Sequence, residues 1–159
     1  MATSFKLRGM KKFMRNFNDE VRKIRGRTHR GLIEAAIVLQ RAAEPGTPID
    51  TGNLRASWFI VSYKSGPEVS VPKFTGEDAG KLANNHTRVL SAAFSLAQGM
   101  GSFANPVVVF GYSANYAVFV HEAVDATFQR PTAHARWLYA AMQVSQDKML
   151  DKIHQHARL

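Results

Sequence analysis

The chain has 159 residues, a formal net charge of +9 and no cysteine, which excludes a disulfide framework and a thiolate metal site. A chain of this length can bury about two-thirds of its unfolded surface in one domain without staples. No apolar run approaches the ~20 residues that span a bilayer, and the basic N-terminus lacks the apolar stretch of a secretory signal, so the expectation is a soluble protein with no membrane partner.

The charge is uneven. Residues 1–30 hold ten Lys or Arg against Asp19 and Glu20, a net +8, and the remainder holds eleven against ten acids, a net +1. The cations are Lys6, Arg8, Lys11, Lys12, Arg15, Arg22, Lys23, Arg25, Arg27 and Arg30. We therefore divide the chain into a basic N-terminal helical arm, residues 1–31, and a single α+β domain, residues 32–159. Such an arm suits DNA phosphates or an acidic protein surface, and its plain alternative is a solvated helix face.

Between Met10 and Glu44 apolar residues recur mostly three or four apart, at Phe13, Met14, Phe17, Val21, Ile24, Leu32, Ala35, Ala36, Leu39 and Ala43. This spacing predicts a long helix, or a pair broken near Gly26 and Gly31, the second running from Leu32 to Ala43. Glu44-Pro45-Gly46 stops it.

A turn follows. Pro48 fixes its own φ, Asp50 suits an Asx-turn or helix cap, Gly52 suits a positive φ, Leu54 is expected to face inward and Arg55 outward, with Thr51 between them. Asp-Thr-Gly is also how aspartic proteases open, but that chemistry needs two carboxylates sharing a proton, in an almost all-β chain. This chain opens and closes on helical patterns, so Asp50 is read as a cap, and no catalytic residue is assigned.

Trp58–Tyr63, Ser62 apart, is β-branched or aromatic and predicts a strand; Lys64–Pro67 carries turn chemistry, and Glu68–Val71 alternates, completing a hairpin that Pro72 ends. A third strand is expected at Val107–Tyr112. The resulting sheet has three or four mostly antiparallel strands. Both its faces are apolar, so one is expected to be covered by helices and the other by a neighbouring subunit. Residues 73–105 are expected to form a long projecting loop with a helical middle, Ala79–Ala97, ordered by partners.

Asn115 is expected to cap a short helix, Tyr116–Glu122, with Tyr116, Phe119 and Val120 inside. Pro131 is expected to open a final amphipathic helix carrying Ala135, Leu138, Met142, Met149 and Ile153, packed on the sheet. Glu122 has Arg130 or Arg136 as its expected ion-pair partner, and Trp58 and Trp137 read as core anchors. The six His show no metal spacing: His121-Glu122 begins like a zinc-protease helix, but Asp125 stands where the second His belongs. No phosphate loop, Ser-centred elbow or cofactor motif is found.

In this order the motifs resemble the neck, or tail-completion, proteins of tailed bacteriophages, also called minor tail components or head-tail connectors. The carrying residues are Pro48-Ile49-Asp50-Thr51-Gly52-Asn53-Leu54-Arg55-Ala56-Ser57, a strand ending at Gly111, Tyr116-Ala117 leading to Glu122, and Arg130-Pro131-Thr132-Ala133 before Trp137-Leu138. The likeness spans most of residues 32–145. The chain departs from the pattern at Ala123-Val124, where the family usually places Gly, and in the length of residues 73–105. The resemblance implies a structural, non-enzymatic virion protein without cofactor, assembled in the host cytoplasm. It would form a homo-oligomeric ring of six or twelve copies between the connector and the tail, around the DNA channel. A tail-terminator ring and a stand-alone basic nucleic-acid-binding protein are the alternatives.

Overall fold

The expected spacing of apolar residues builds the first described helix, α1 (His29–Ala43), which buries Leu32, Ala35, Ala36, Leu39 and Ala43 on one face. The computed structural model describes residues 29–68, 72–102 and 104–157, with Lys12, Arg15 and Asn16 also helical and exposed. The rest of the expected arm, including Lys6, Arg8, Lys11, Arg22, Lys23, Arg25 and Arg27, lies outside the described residues, as do Val69–Val71 of the second strand. Gly31 does not break α1. The helix runs through it, and its missing side chain serves packing: a Cβ there would stand 2.9 Å from the Ile153 Cα.

Among the described residues seven further elements follow: a one-turn helix α2 (Asn53–Ala56), strands β1 (Trp58–Ser62) and β2 (Gly66–Pro67), helix α3 (Ala79–Met100), strand β3 (Val108–Tyr112), and helices α4 (Ala117–Glu122) and α5 (Trp137–Ala157). The protein is α+β, with a three-stranded antiparallel sheet in the order β2-β1-β3. β1 pairs with β3 from Trp58↔Tyr112 to Ser62↔Val108. The hairpin turn falls earlier than expected, at Tyr63–Ser65, because Gly66 takes φ 78° and already pairs with Ser62.

Strand periodicity divides the apolar residues of β1 between two layers. Trp58 and Ile60 join the principal core with α1 and α5, whereas Phe59 and Val61 pack with Val89, Leu90, Ala93 and Phe94 of α3. The expected neighbouring subunit is therefore not needed over the second face of the sheet: α3 of the same chain covers it, and all five β1 residues are buried. Residues 73–105 do not form a long projecting loop, since most of them belong to α3, docked through Leu82, His86, Ala93 and Ala97.

Helix α5, expected on the sheet, instead packs chiefly along α1, burying Trp137, Ala141, Met142, Met149 and Ile153. The reason is occupancy: α1 itself packs on β1 and β3, leaving its other side as the apolar surface available to α5. Only among long-range contacts is this choice visible. Glu34 adds a polar clasp across the seam, 2.9 Å from His156 Nε2 and 3.6 Å from Lys152 Nζ. Among the described residues, no helix is long and apolar enough to cross a membrane.

Candidate functional site

The two stretches that carry the sequence motifs, residues 44–55 and 116–137, meet at one end of the molecule. Their junction is built on the C-terminus of α1, where helix geometry leaves carbonyls without intrahelical partners. Three groups from the distant loop satisfy the turn that follows: Arg130 donates to the Glu44 carbonyl at 3.1 Å, the Thr132 hydroxyl to the Pro45 carbonyl at 2.7 Å, and the His134 amide to the Gly46 carbonyl at 3.1 Å. The Arg130 cation also stands at the negative end of the α1 dipole.

Within the turn, Gly52 takes φ 82° and Leu54 is buried, as expected. Asp50 is not the cap. The N-cap of α2 is Gly52, with no side-chain capping bond, and Thr51 Oγ1 is the hydroxyl that reaches the Asn53 amide, at 3.4 Å. Asp50 is left exposed. Arg55 points outward as expected and forms an ion pair with Glu44, a partner the sequence did not suggest. Asn53 closes the other flank, exchanging two 2.9 Å hydrogen bonds with the Thr75 backbone.

On the C-terminal side, Asn115 does not cap α4; the N-cap position belongs to Tyr116, and no side chain caps the helix. Ala117 and His121 are its buried residues. Phe119, expected inside, is 72 % exposed, because a six-residue helix has room for one inward stripe and Ala117 and His121 occupy it. Pro131 does not open α5 either. It lies in a turn closed by the Ala133 amide on the Arg130 carbonyl at 3.0 Å, where its fixed φ suits the second turn position. The helix waits until Trp137, after Arg136 at φ 56°, whose amide donates to the His121 carbonyl at 2.7 Å.

Glu122 resolves its two expected partners in favour of Arg136, at 3.5 Å, and also takes His121 Nδ1 at 2.7 Å. Trp137 is 1 % exposed and packs edge-on to both His121 and Tyr112, as a core anchor should. Burial raises the Tyr112 phenol above its usual value, opposed by its contact with Thr47. Burial also raises Tyr116, and the nearby Asp50 charge pushes the same way.

A groove of about 350 Å³ runs between the two motif stretches, walled by Pro48, Asp50 and Leu54 on one side and by Tyr116, Val120 and Phe128 on the other. A second hollow, of about 300 Å³, lies behind the turn, beside Glu44, Thr47, Arg55, Trp58 and Tyr112. Residues 127–129 and Thr47 carry no motif in the sequence; the only local signal is the place of Thr47 directly after a helix stop. Val118, Phe119 and Val124 add exposed apolar surface on α4 and the turn after it, and Leu96 and Met100 do so at the end of α3. The arrangement is one of shape and apolar contact. Among the described residues, no group of three His, Asp or Glu is placed to hold a metal ion. Comparisons of the chain with protein-family models, with curated proteins and with solved structures found no match.

Proposed function

We propose that this chain is a structural subunit of the neck of a tailed bacteriophage, forming a homo-oligomeric ring that joins connector to tail around the DNA path. The observation that carries the reading is the convergence of its motifs: Pro48–Leu54 and Tyr116, distant in sequence, are walls of the same groove. That the motifs share one surface is what a common docking role would require, and separate structural turns would have no need of it.

A closed ring built from heterologous contacts needs two different patches on each protomer. Two sets of exposed apolar side chains on different elements support this: Val118, Phe119 and Val124 after β3, and Leu96 and Met100 on α3. Because α3 covers the second face of the sheet, the apolar surface that would drive assembly is that of these patches and not of the sheet. The basic arm would then face DNA in the lumen or an acidic connector surface.

Mass measurement and electron microscopy of the full chain, alone and mixed with connector particles, test the proposal. Rings of six or twelve copies, or particles capped by added density, are expected. A chain that stays monomeric and fails to sediment with connectors would end the reading. The ten cations in residues 1–30 favour a second reading, a free-standing nucleic-acid-binding protein. A monomer that binds short duplexes with steep salt dependence would support it.

A further inference from the structure

Helix α3 is held to the sheet by a thin set of side chains. Of its 22 residues only Leu82, His86, Ala93 and Ala97 are buried, and two of these are alanines. No side chain caps its N-terminus, and no acidic residue stands in its first turn. Beneath it lies an apolar layer, Phe59, Val61 and Val109 of the sheet, together with its own Val89, Leu90 and Phe94.

The one polar member of the buried set is an imidazole. His86 is 5 % exposed, and its Nδ1 stands 2.7 Å from the hydroxyl of Ser113, itself 4 % exposed, just beyond the end of β3. The ring of Phe74 meets it edge-on at 5.8 Å. A neutral imidazole fits such a place, with a hydroxyl for one nitrogen and aromatic surface beside it. A charged one does not, because burying an unpaired cation is costly.

We propose that the His86–Ser113 contact is a pH-sensitive latch: protonation of His86 releases α3 from the sheet and bares the apolar layer beneath it, while the α1–α5 pair stays closed.

Among the described residues, the surroundings offer no compensating charge. Ionisable groups on the elements packed around His86 are Lys81 and Arg88 on α3 itself, Asp78 at its N-cap, Lys73 and Glu77 on the segment entering it, Tyr63, Lys64 and Glu68 on the hairpin, and Tyr112 on β3. Asp78 and Lys81 are engaged with each other at 2.9 Å, and Arg88 reaches Asn85. Burial lowers the His86 pKa from its ordinary value, and no charged neighbour among the described residues contributes. The unfolded or undocked segment therefore takes up a proton more readily than the docked one. The contribution of His86 to docking is complete above the ordinary histidine value and is lost as pH falls through the lower, docked value. Between those two values the opening constant of α3 rises by up to about tenfold per pH unit. This device does not depend on the ring reading, since it concerns only how one chain holds its own helix.

Hydrogen exchange of the full chain at pH 7.5 and pH 5.0, corrected for the intrinsic rate, reads the latch directly. The expected result is loss of protection in residues 79–100 at the lower pH, with residues 29–43 and 137–157 still protected. His86→Gln keeps a donor and an acceptor beside Ser113 but does not titrate, and in that variant α3 protection should no longer depend on pH. Should the variant not fold, the wild-type His86 ring resonances supply the same information. Their titration midpoint should coincide with the loss of α3 protection. Protection of α3 that persists to pH 5.0, an equal loss in His86→Gln, or a His86 titration that does not follow α3 opening would each overturn the proposal.

Discussion

The Tyr112 phenol and the Thr47 hydroxyl share a hydrogen bond 3.0 Å long. The Thr47 hydroxyl also lies 2.9 Å from the Ala43 carbonyl, beside the backbone amides that reach the same oxygen. One buried side chain thus ties the last turn of α1 to the end of β3. Replacing Thr47 with Val keeps the shape and leaves the Tyr112 phenol without this partner, while the Ala43 carbonyl still accepts the amides of residues 46 and 47. We expect Thr47→Val to cost about 1–3 kcal/mol in chemical denaturation, with Thr47→Ser losing much less.

Two glycines should respond to alanine for different reasons. At Gly52 a Cβ meets nothing within 4 Å, so the penalty is the backbone strain of φ 82° alone, roughly 1–2 kcal/mol. Gly31 has ordinary helical backbone, and there alanine would otherwise gain about 1 kcal/mol from helix propensity. Its Cβ, however, would press on the Ile153 Cα at 2.9 Å and the Lys152 carbonyl at 3.2 Å, and backbone cannot rotate away. The α1–α5 seam must part, and Gly31→Ala should lower stability by about 1–3 kcal/mol despite its better propensity. Thermal unfolding of the two variants side by side checks both values.

The Glu34 clasp carries a pH dependence of known sign. Burial works to raise its carboxyl, but the His156 hydrogen bond and the charges of His156, Lys152 and Arg30 outweigh it, and the pKa lies below the ordinary value. The unfolded chain therefore takes up the proton first as pH falls. The clasp stabilises fully above the ordinary carboxyl value and is lost as pH drops through the lower, folded value. Glu34→Gln should be less stable than wild type at pH 7, and the difference should narrow as pH falls toward 3. Urea midpoints at the two pH values would show whether the difference closes.

Phe119 separates folding from assembly. Its side chain is 72 % exposed and lies outside both apolar clusters, so Phe119→Glu should leave the unfolding midpoint within about 0.5 kcal/mol of wild type. If the ring reading holds, the same change should abolish the assembled particle in sedimentation. A variant that assembles normally would remove α4 from the interface.

Elements whose signal is local are legible in the amino-acid order. Residues Leu32–Ala43, the strands starting at Trp58 and ending at Tyr112, the left-handed Gly52 and the inward Leu54 all lie close to where apolar spacing and turn chemistry put them. So does the pairing of Glu122 with one of its two nearby arginines. The capping roles expected of Asp50 and Asn115, and the opening role of Pro131, fail for a shared reason. Each residue type suits several turn geometries, and the partner that selects among them comes from far along the chain, as when Arg130, Thr132 and His134 bind residues 44–46.

What the sequence by itself determined was the inventory: which segments coil, which extend, and where glycine and proline must bend the chain, because these preferences act over a few residues. Tertiary structure alone decided that α5 lies against α1, that α3 closes the second side of the sheet, and that residues 44–55 and 116–137 share a groove. An apolar stripe records how much surface must leave water and on which side of a helix, but the hydrophobic effect has no direction, so the stripe does not name the surface that will cover it.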